Sequence, residues 1–139
     1  MSLVANDGNR VRMRLDYRAE LARSAARPTL HAGAIITAID SAMGMAGMNF
    51  MQHSAGIATL DFRYDEFSAP PNEAGVFIDV HCERIDGDIL YITGTCVDDA
   101  GEVRGRATGR FIRTAASTMP TQEQREAMQR LQAAQQSAQ

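Results

Sequence analysis

Residues 33–51 read Gly33-Ala34-Ile35-Ile36-Thr37-Ala38-Ile39-Asp40-Ser41-Ala42-Met43-Gly44-Met45-Ala46-Gly47-Met48-Asn49-Phe50-Met51, and this run decides the fold. On a 3.6-residue period its apolar side chains point in almost every direction around a helix, so the helix belongs inside the protein, wrapped by something broader than one partner helix. Gly44 and Gly47 each cost about 1 kcal/mol of helix propensity relative to Ala, a cost tolerated where another element comes close. The methionines at 43, 45, 48 and 51 supply adaptable volume and read as core filler. Asp40 sits in the middle of the stretch from Ala32 to Met51, and with the many Gly and Ala residues it argues for a buried soluble helix over a membrane span.

Upstream, Asn6-Asp7-Gly8-Asn9 is a turn signal, after which Val11, Met13 and Leu15 alternate with arginines and predict a strand ending near Tyr17. Residues 18–27 carry a mixed signal, and Pro28 sets an extended connection into Leu30. Downstream the period changes to two. Ile57, Thr59, Asp61, Arg63 and Asp65 are expected on one face of a long strand, with Ala58, Leu60, Phe62, Tyr64 and Glu66 on the other, until Pro70-Pro71-Asn72 breaks it. Val76 to Glu83, Ile89 to Val97 and Glu102 to Arg113 read as further strands, joined by turns at Asp86-Gly87-Asp88 and Asp98-Asp99-Ala100-Gly101. In the last strand Val103, Gly105, Ala107, Gly109 and Phe111 are expected to share a face, the small ones letting the sheet close on the helix. The expected class is α+β: a long central helix wrapped by a curved antiparallel sheet of about five strands.

With 139 residues, the chain has room for one domain, placed at 1–116, and a tail at 117–139 in which Thr121 caps a short exposed helix. Its 14 Lys+Arg against 17 Asp+Glu leave a net charge of -3, with no basic excess to recommend a nucleic-acid surface. Cys82 and Cys96 lack metal or redox spacing and read as buried thiols of a reducing compartment. The first residues show no secretory pattern, and a cytoplasmic location is the default expectation.

Asp40 is the most informative side chain, the only acid between Glu20 and Asp61. A carboxylate on a buried helix needs dedicated partners or an opening into a pocket, because burial without either costs several kcal/mol. It is therefore an internal anchor or a pocket base or nucleophile. His31-Ala32-Gly33 precedes the helix, where unpaired N–H groups can hold an oxyanion or a carbonyl, although His31 by itself reads as a cap. Thr59 is equally an ordinary strand residue, and Asp61 with Arg63 and Asp65 reads first as an alternating-charge edge. His53 and His81 are not spaced as metal ligands.

Leu30-His31-Ala32-Gly33, then Asp40-Ser41-Ala42-Met43-Gly44, then Ala58-Thr59-Leu60-Asp61-Phe62-Arg63 together resemble the hotdog-fold acyl-CoA thioesterases of the phenylacetate-pathway type. The His-Gly-Gly motif of that family is His31-Ala32-Gly33 here, with the helix acid nine residues after the His. The resemblance implies a hotdog fold and a thioester hydrolase for an aryl- or medium-chain acyl-CoA. Asp40 would activate water or attack the carbonyl, the Gly33 N–H would polarise that carbonyl, and His31 would stabilise the helix start. Thr59 would assist the water from across a dimer interface. Ser24 falls where the family commonly has an Asn, and with Asp61, Arg104, Arg106 and Arg110 it completes the expected substrate contacts. The resemblance also implies a homodimer, paired into a dimer of dimers, with no metal and no cofactor beyond the coenzyme A of the substrate, and neither a nucleic-acid nor a membrane partner. A non-catalytic acyl-CoA-binding module and, more distantly, a hydratase or dehydratase remain the alternatives.

Overall fold

The computed structural model describes residues 1–115 together with Glu126, Gln129, Arg130 and Ala133, the last four helical. The expected cap at Thr121 and the boundary at 116/117 lie outside the described residues. The elements in chain order are β1 (Ser2–Asp7), β2 (Arg10–Leu15), a 3-10 turn (Ala19–Leu21), β3 (Ala22–Ser24), β4 (Arg27–Leu30), α1 (Ala32–Phe50), β5 (Gly56–Glu66), β6 (Val76–Asp86), β7 (Ile89–Val97) and β8 (Val103–Thr114). Six strands form one antiparallel sheet in the order β1-β2-β6-β7-β8-β5, and β3 and β4 make a separate short hairpin. The expected five strands become six because β1 pairs with β2 across the turn at Gly8, whose φ is +58°. All six residues of β1 are exposed, so it carries no alternation from which to read a strand.

The core lies between α1 and one face of the sheet. Ile35, Ala38, Ile39, Ala42, Met43, Ala46 and Gly47 are buried on one side of α1. Val11, Met13, Val76, Ile78, Val80, Cys82, Leu90, Ile92, Cys96 and Phe111 face them from the sheet. The all-round burial expected of the helix is corrected: in the single chain its other side, with Thr37, Ser41 and Ile36, is exposed. A sheet can wrap a helix only from one side. The close approach at Gly47 is real, since a Cβ there would overlap the Ile57 side chain and stand 3.2 Å from Ile92 Cδ1, whereas a Cβ at Gly44 would meet nothing within 4 Å.

Two further expectations change. A bulge in β5 leaves Leu60 without a pairing partner, between Thr59 opposite Phe111 and Asp61 opposite Arg110. Phe111 faces the core, and so does Gly109 opposite Phe62, so Thr59, Phe62 and Tyr64 share the inner face while Asp61 faces out. The single alternation expected through 57–66 is thus broken, and Thr59 and Asp61 lie on opposite faces. A second irregularity, at Arg104, pairs Val103 with Val97 and takes Val103 out of the inner row, leaving it 39% exposed. The inner glycines of β8 make room chiefly for β5 side chains: a Cβ at Gly105 would overlap the Tyr64 ring, and one at Gly109 would stand 3.0 Å from Phe62 Cβ.

Candidate functional site

Asp40 lies where the buried side of α1 turns toward solvent, facing the free edge of the sheet, and is half-buried. Thr59 Oγ1 donates to Asp40 Oδ1 at 2.8 Å. Among the described residues Oδ2 has no partner, so one carboxylate oxygen is anchored and the other is open. Thr59 follows Ile57 on the inner face and so reaches this bond, and the Leu60 bulge after it turns Asp61 outward. Donor and acceptor belong to one chain, which corrects the expectation that Thr59 meets Asp40 across an interface. A threonine hydroxyl has a single proton. With that proton on Asp40, Thr59 orients the carboxylate and is not free to donate to a water.

The helix start is built by the end of β4 and the 3-10 turn before β3. The His31 N–H donates to the Leu21 carbonyl at 2.7 Å, and the His31 carbonyl accepts from Ala34 N at 3.0 Å and Ile35 N at 3.3 Å. Nδ1 of the exposed imidazole accepts from Gly33 N at 2.9 Å, capping the helix. The amide expected to polarise a carbonyl is therefore already engaged, by the residue expected only to support it. Gly33 and Asp40 are seven residues apart, about 10.5 Å along the helix axis.

The other expected contacts are dispersed. Ser24 Oγ accepts from Arg27 N at 3.1 Å and serves the β3–β4 turn. Arg110 and Asp61 pair with each other on the outer face, Nε to Oδ1 at 3.1 Å, and this pairing holds the Asp61 carboxyl below the usual carboxylate range. Arg104 is committed to Asp98, a side chain 2% exposed, with Nε 2.8 Å from Oδ2, and to Ser68 Oγ at 3.0 Å. Asp98 Oδ1 also accepts from the Ala100 and Glu102 amides at 2.9 Å each. The Arg104 hydrogen bonds, followed by those amides, keep its carboxyl low. Arg104 thus anchors the β7–β8 turn.

Of the three expected arginines, only Arg106 has no carboxylate partner among the described residues. It lines an outer-face groove of about 680 Å³ with Arg10, Arg12 and His81, and with the carboxylates of Asp7, Asp79 and Glu83. The sheet separates this groove from Asp40, so one chain does not bring the arginines and the helix site together. Sequence reasoning did not single out Arg10, which reads as one of three alternating strand arginines. Among the described residues no group of three or more His, Cys, Asp or Glu side chains could hold a metal ion. No described helix is long and apolar enough to cross a membrane.

No family model and no curated protein matches the sequence. Solved structures do. The smu.793 protein of Streptococcus mutans UA159, solved bound to acetyl CoA, is similar at a TM-score of 0.74 and 15% identity, over 83% of this chain and 89% of that one. The E. coli PaaI protein of the phenylacetic acid degradation operon is similar at a TM-score of 0.74 and 10% identity, over 83% of this chain and 80% of its own. A hypothetical thioesterase of Streptococcus pneumoniae TIGR4, solved with coenzyme A, is similar at 0.73 and 13% identity, over 83% and 86%. That thioesterase has also been solved with a threonine, and separately an aspartate, replaced by alanine. The shared architecture is the hotdog fold, a single long helix packed against a six-stranded antiparallel sheet.

Proposed function

We propose that this protein hydrolyses acyl-CoA thioesters, aryl or medium-chain, to the free acid and CoA. The observation that carries the reading is the Asp40 carboxylate, held at Oδ1 by Thr59 and open at Oδ2, on the solvent-facing flank of an otherwise apolar helix. Asp40 Oδ2 takes a proton from water as the water attacks the thioester carbonyl, or attacks it directly to form a mixed anhydride that water then cleaves. In both routes the C–S bond breaks and CoA leaves as the thiol. The Gly33 N–H polarises the carbonyl oxygen. Thioesterase and CoA-bound neighbours of the same fold support the reading.

The site is shared between two protomers on this reading. A carbonyl on Gly33 of one chain lies about 10 Å along the helix from Asp40 of the same chain, too far for direct attack. An antiparallel approach of a second helix brings Asp40 and Thr59 of one protomer toward His31 and Gly33 of the other. Strand β5 supports such a pairing: it is 11 residues long and, among the described residues, pairs only with β8 and leaves its other edge free. On its outer face Arg63 Nε donates to Asp65 at 2.9 Å, a charge pair that can exchange partners across a twofold axis. Such dimers would pair further into a dimer of dimers. Of the three expected arginines, Arg106 is the one without a carboxylate partner among the described residues and so the one left to meet a CoA phosphate, and from its face of the sheet it would serve a thioester bound by a neighbouring copy.

The engaged Gly33 amide favours a second reading, acyl-CoA binding without turnover. Thiol release from a panel of acyl-CoAs separates the two. Hydrolysis that falls about 10²-fold or more in Asp40→Asn supports the thioesterase. Equal rates in wild type and Asp40→Asn remove it, and tight binding of CoA thioesters with no thiol released establishes the binding module.

A further inference from the structure

We infer that Arg23 is a positioning residue for the proposed reaction: its ion pair with Glu66 fastens the chain entering α1 to β5, and so sets Gly33 of one protomer against Asp40 of the other. The inference deepens the acyl-CoA reading above and rests on it. The β3–β4 hairpin stands apart from the six-stranded sheet, yet it leads directly into the helix, with β4 ending at Leu30 and α1 beginning at Ala32. From β3, Arg23 reaches in two directions. Its Nε donates to the Leu30 carbonyl at 3.3 Å, and its Nη2 donates to Glu66 Oε1 at the end of β5. One guanidinium thus joins the residue before the helix cap to the strand whose free edge meets the second copy on that reading.

This is the one side-chain hydrogen bond between the hairpin and β5. The two side chains are 30% and 22% exposed, so solvent screens the pair less than it screens a surface pair. Glu66 has no second donor to fall back on: Oε2 is buried without a partner among the described residues, and the Tyr64 hydroxyl, two residues back on the same face, is buried and unpartnered as well. Arg23 is therefore the group that holds this carboxylate. The consequence for the reaction follows from a site shared between protomers. Asp40 and Thr59 are bonded to each other within one chain, so their half of the site keeps its geometry when the hairpin moves. Gly33 belongs to the other half, and its place against the seam is set by how the helix start sits on β5. A shift of about 1 Å there can cost about 10²-fold in rate. Because the amide acts on charge that develops at the carbonyl oxygen, the loss falls on kcat and not on KM.

The test is steady-state thiol release by the full chain across a range of acyl-CoA concentrations. Arg23→Met combined with Glu66→Gln removes the ion pair without leaving an unpaired buried carboxylate, and circular dichroism with size-exclusion chromatography checks fold and assembly. The expected result is a kcat about tenfold lower with KM within about twofold of wild type. Arg23→Lys keeps the charge but not the fork that spans two acceptors, and should recover part of that loss. Glu66→Gln alone, which keeps the shape of the side chain, should lower kcat in the same direction by less. A merely structural pair would lower the midpoint of thermal unfolding and leave kcat unchanged. That result, a loss confined to KM, or an Arg23→Lys protein no faster than the double variant overturns the inference and leaves the acyl-CoA reading standing. Release of no thiol by wild type from any acyl-CoA overturns that reading and the inference with it.

Discussion

The bond from Thr59 to Asp40 can be isolated by a double-mutant cycle on turnover. Thr59→Val exchanges the hydroxyl for a methyl while keeping the branched shape that suits a strand. The bond it removes is charge-assisted and 2.8 Å long. Hydrogen bonds to charged groups contribute about 1.5–3 kcal/mol, and the exposure of Thr59 places this one near the lower end. If the bond holds Asp40 in its reactive orientation, about 1.5 kcal/mol of transition-state stabilisation is lost, close to tenfold in turnover. Asp40→Asn should cost about 10²-fold or more by itself. Because Thr59 acts only through the carboxylate, the double variant should be no slower than Asp40→Asn. The assay is steady-state thiol release from a saturating acyl-CoA, with circular dichroism confirming the fold of each variant. An additive cycle, in which Thr59→Val costs tenfold in both backgrounds, would refute the reasoning, since Thr59 would then touch water or substrate on its own account.

Two glycines one turn apart on α1 should respond oppositely to alanine. Gly44→Ala enters open space and gains about 1 kcal/mol of helix propensity, raising the midpoint of thermal unfolding by a few degrees. Gly47→Ala meets Ile57, Leu90 and Ile92, so an overpacking cost of about 1–3 kcal/mol offsets that gain and leaves the midpoint equal or lower. Burial pushes the Cys82 and Cys96 thiols up to about 11, so neither should react with a disulfide reagent at pH 8 until the protein is unfolded. The Asp98 carboxyl titrates below its unfolded value because of Arg104 and two backbone amides, so its contribution to stability is complete above about pH 4 and is lost as pH falls toward the folded value. Asp98→Asn should therefore lower the thermal midpoint at pH 7 and flatten its fall as the pH drops below about 4. A pH profile parallel to that of wild type would contradict the assignment.

The helix, the four strands after it and the turns between them were legible because each rests on a periodic pattern set by burial. Val76, Ile78, Val80 and Cys82 alternate because a sheet face buries them, and the apolar residues of α1 are dense because one side of it is the core. What the pattern cannot carry is any event of a single residue. Leu60 sits within a strand whose residues alternate in character before and after it, yet its bulge puts Asp61 on the face opposite Thr59. No side-chain property at that position distinguishes a regular strand from a bulged one, because the bulge belongs to the pairing with β8 and not to β5 alone. Arg104 repeats the point: as a cation in a strand it reads as a surface group, and only the fold places Asp98 beneath it. The apolar excess on α1 has the converse meaning. A helix richer in apolar residues than its own sheet can cover, with Ile36 left 37% exposed beside Asp40, carries pattern for a surface that one chain does not supply. The exposed Ile36 flank supports the proposal that a second copy completes the site, because an apolar flank around a carboxylate is useful only where something excludes the water from it.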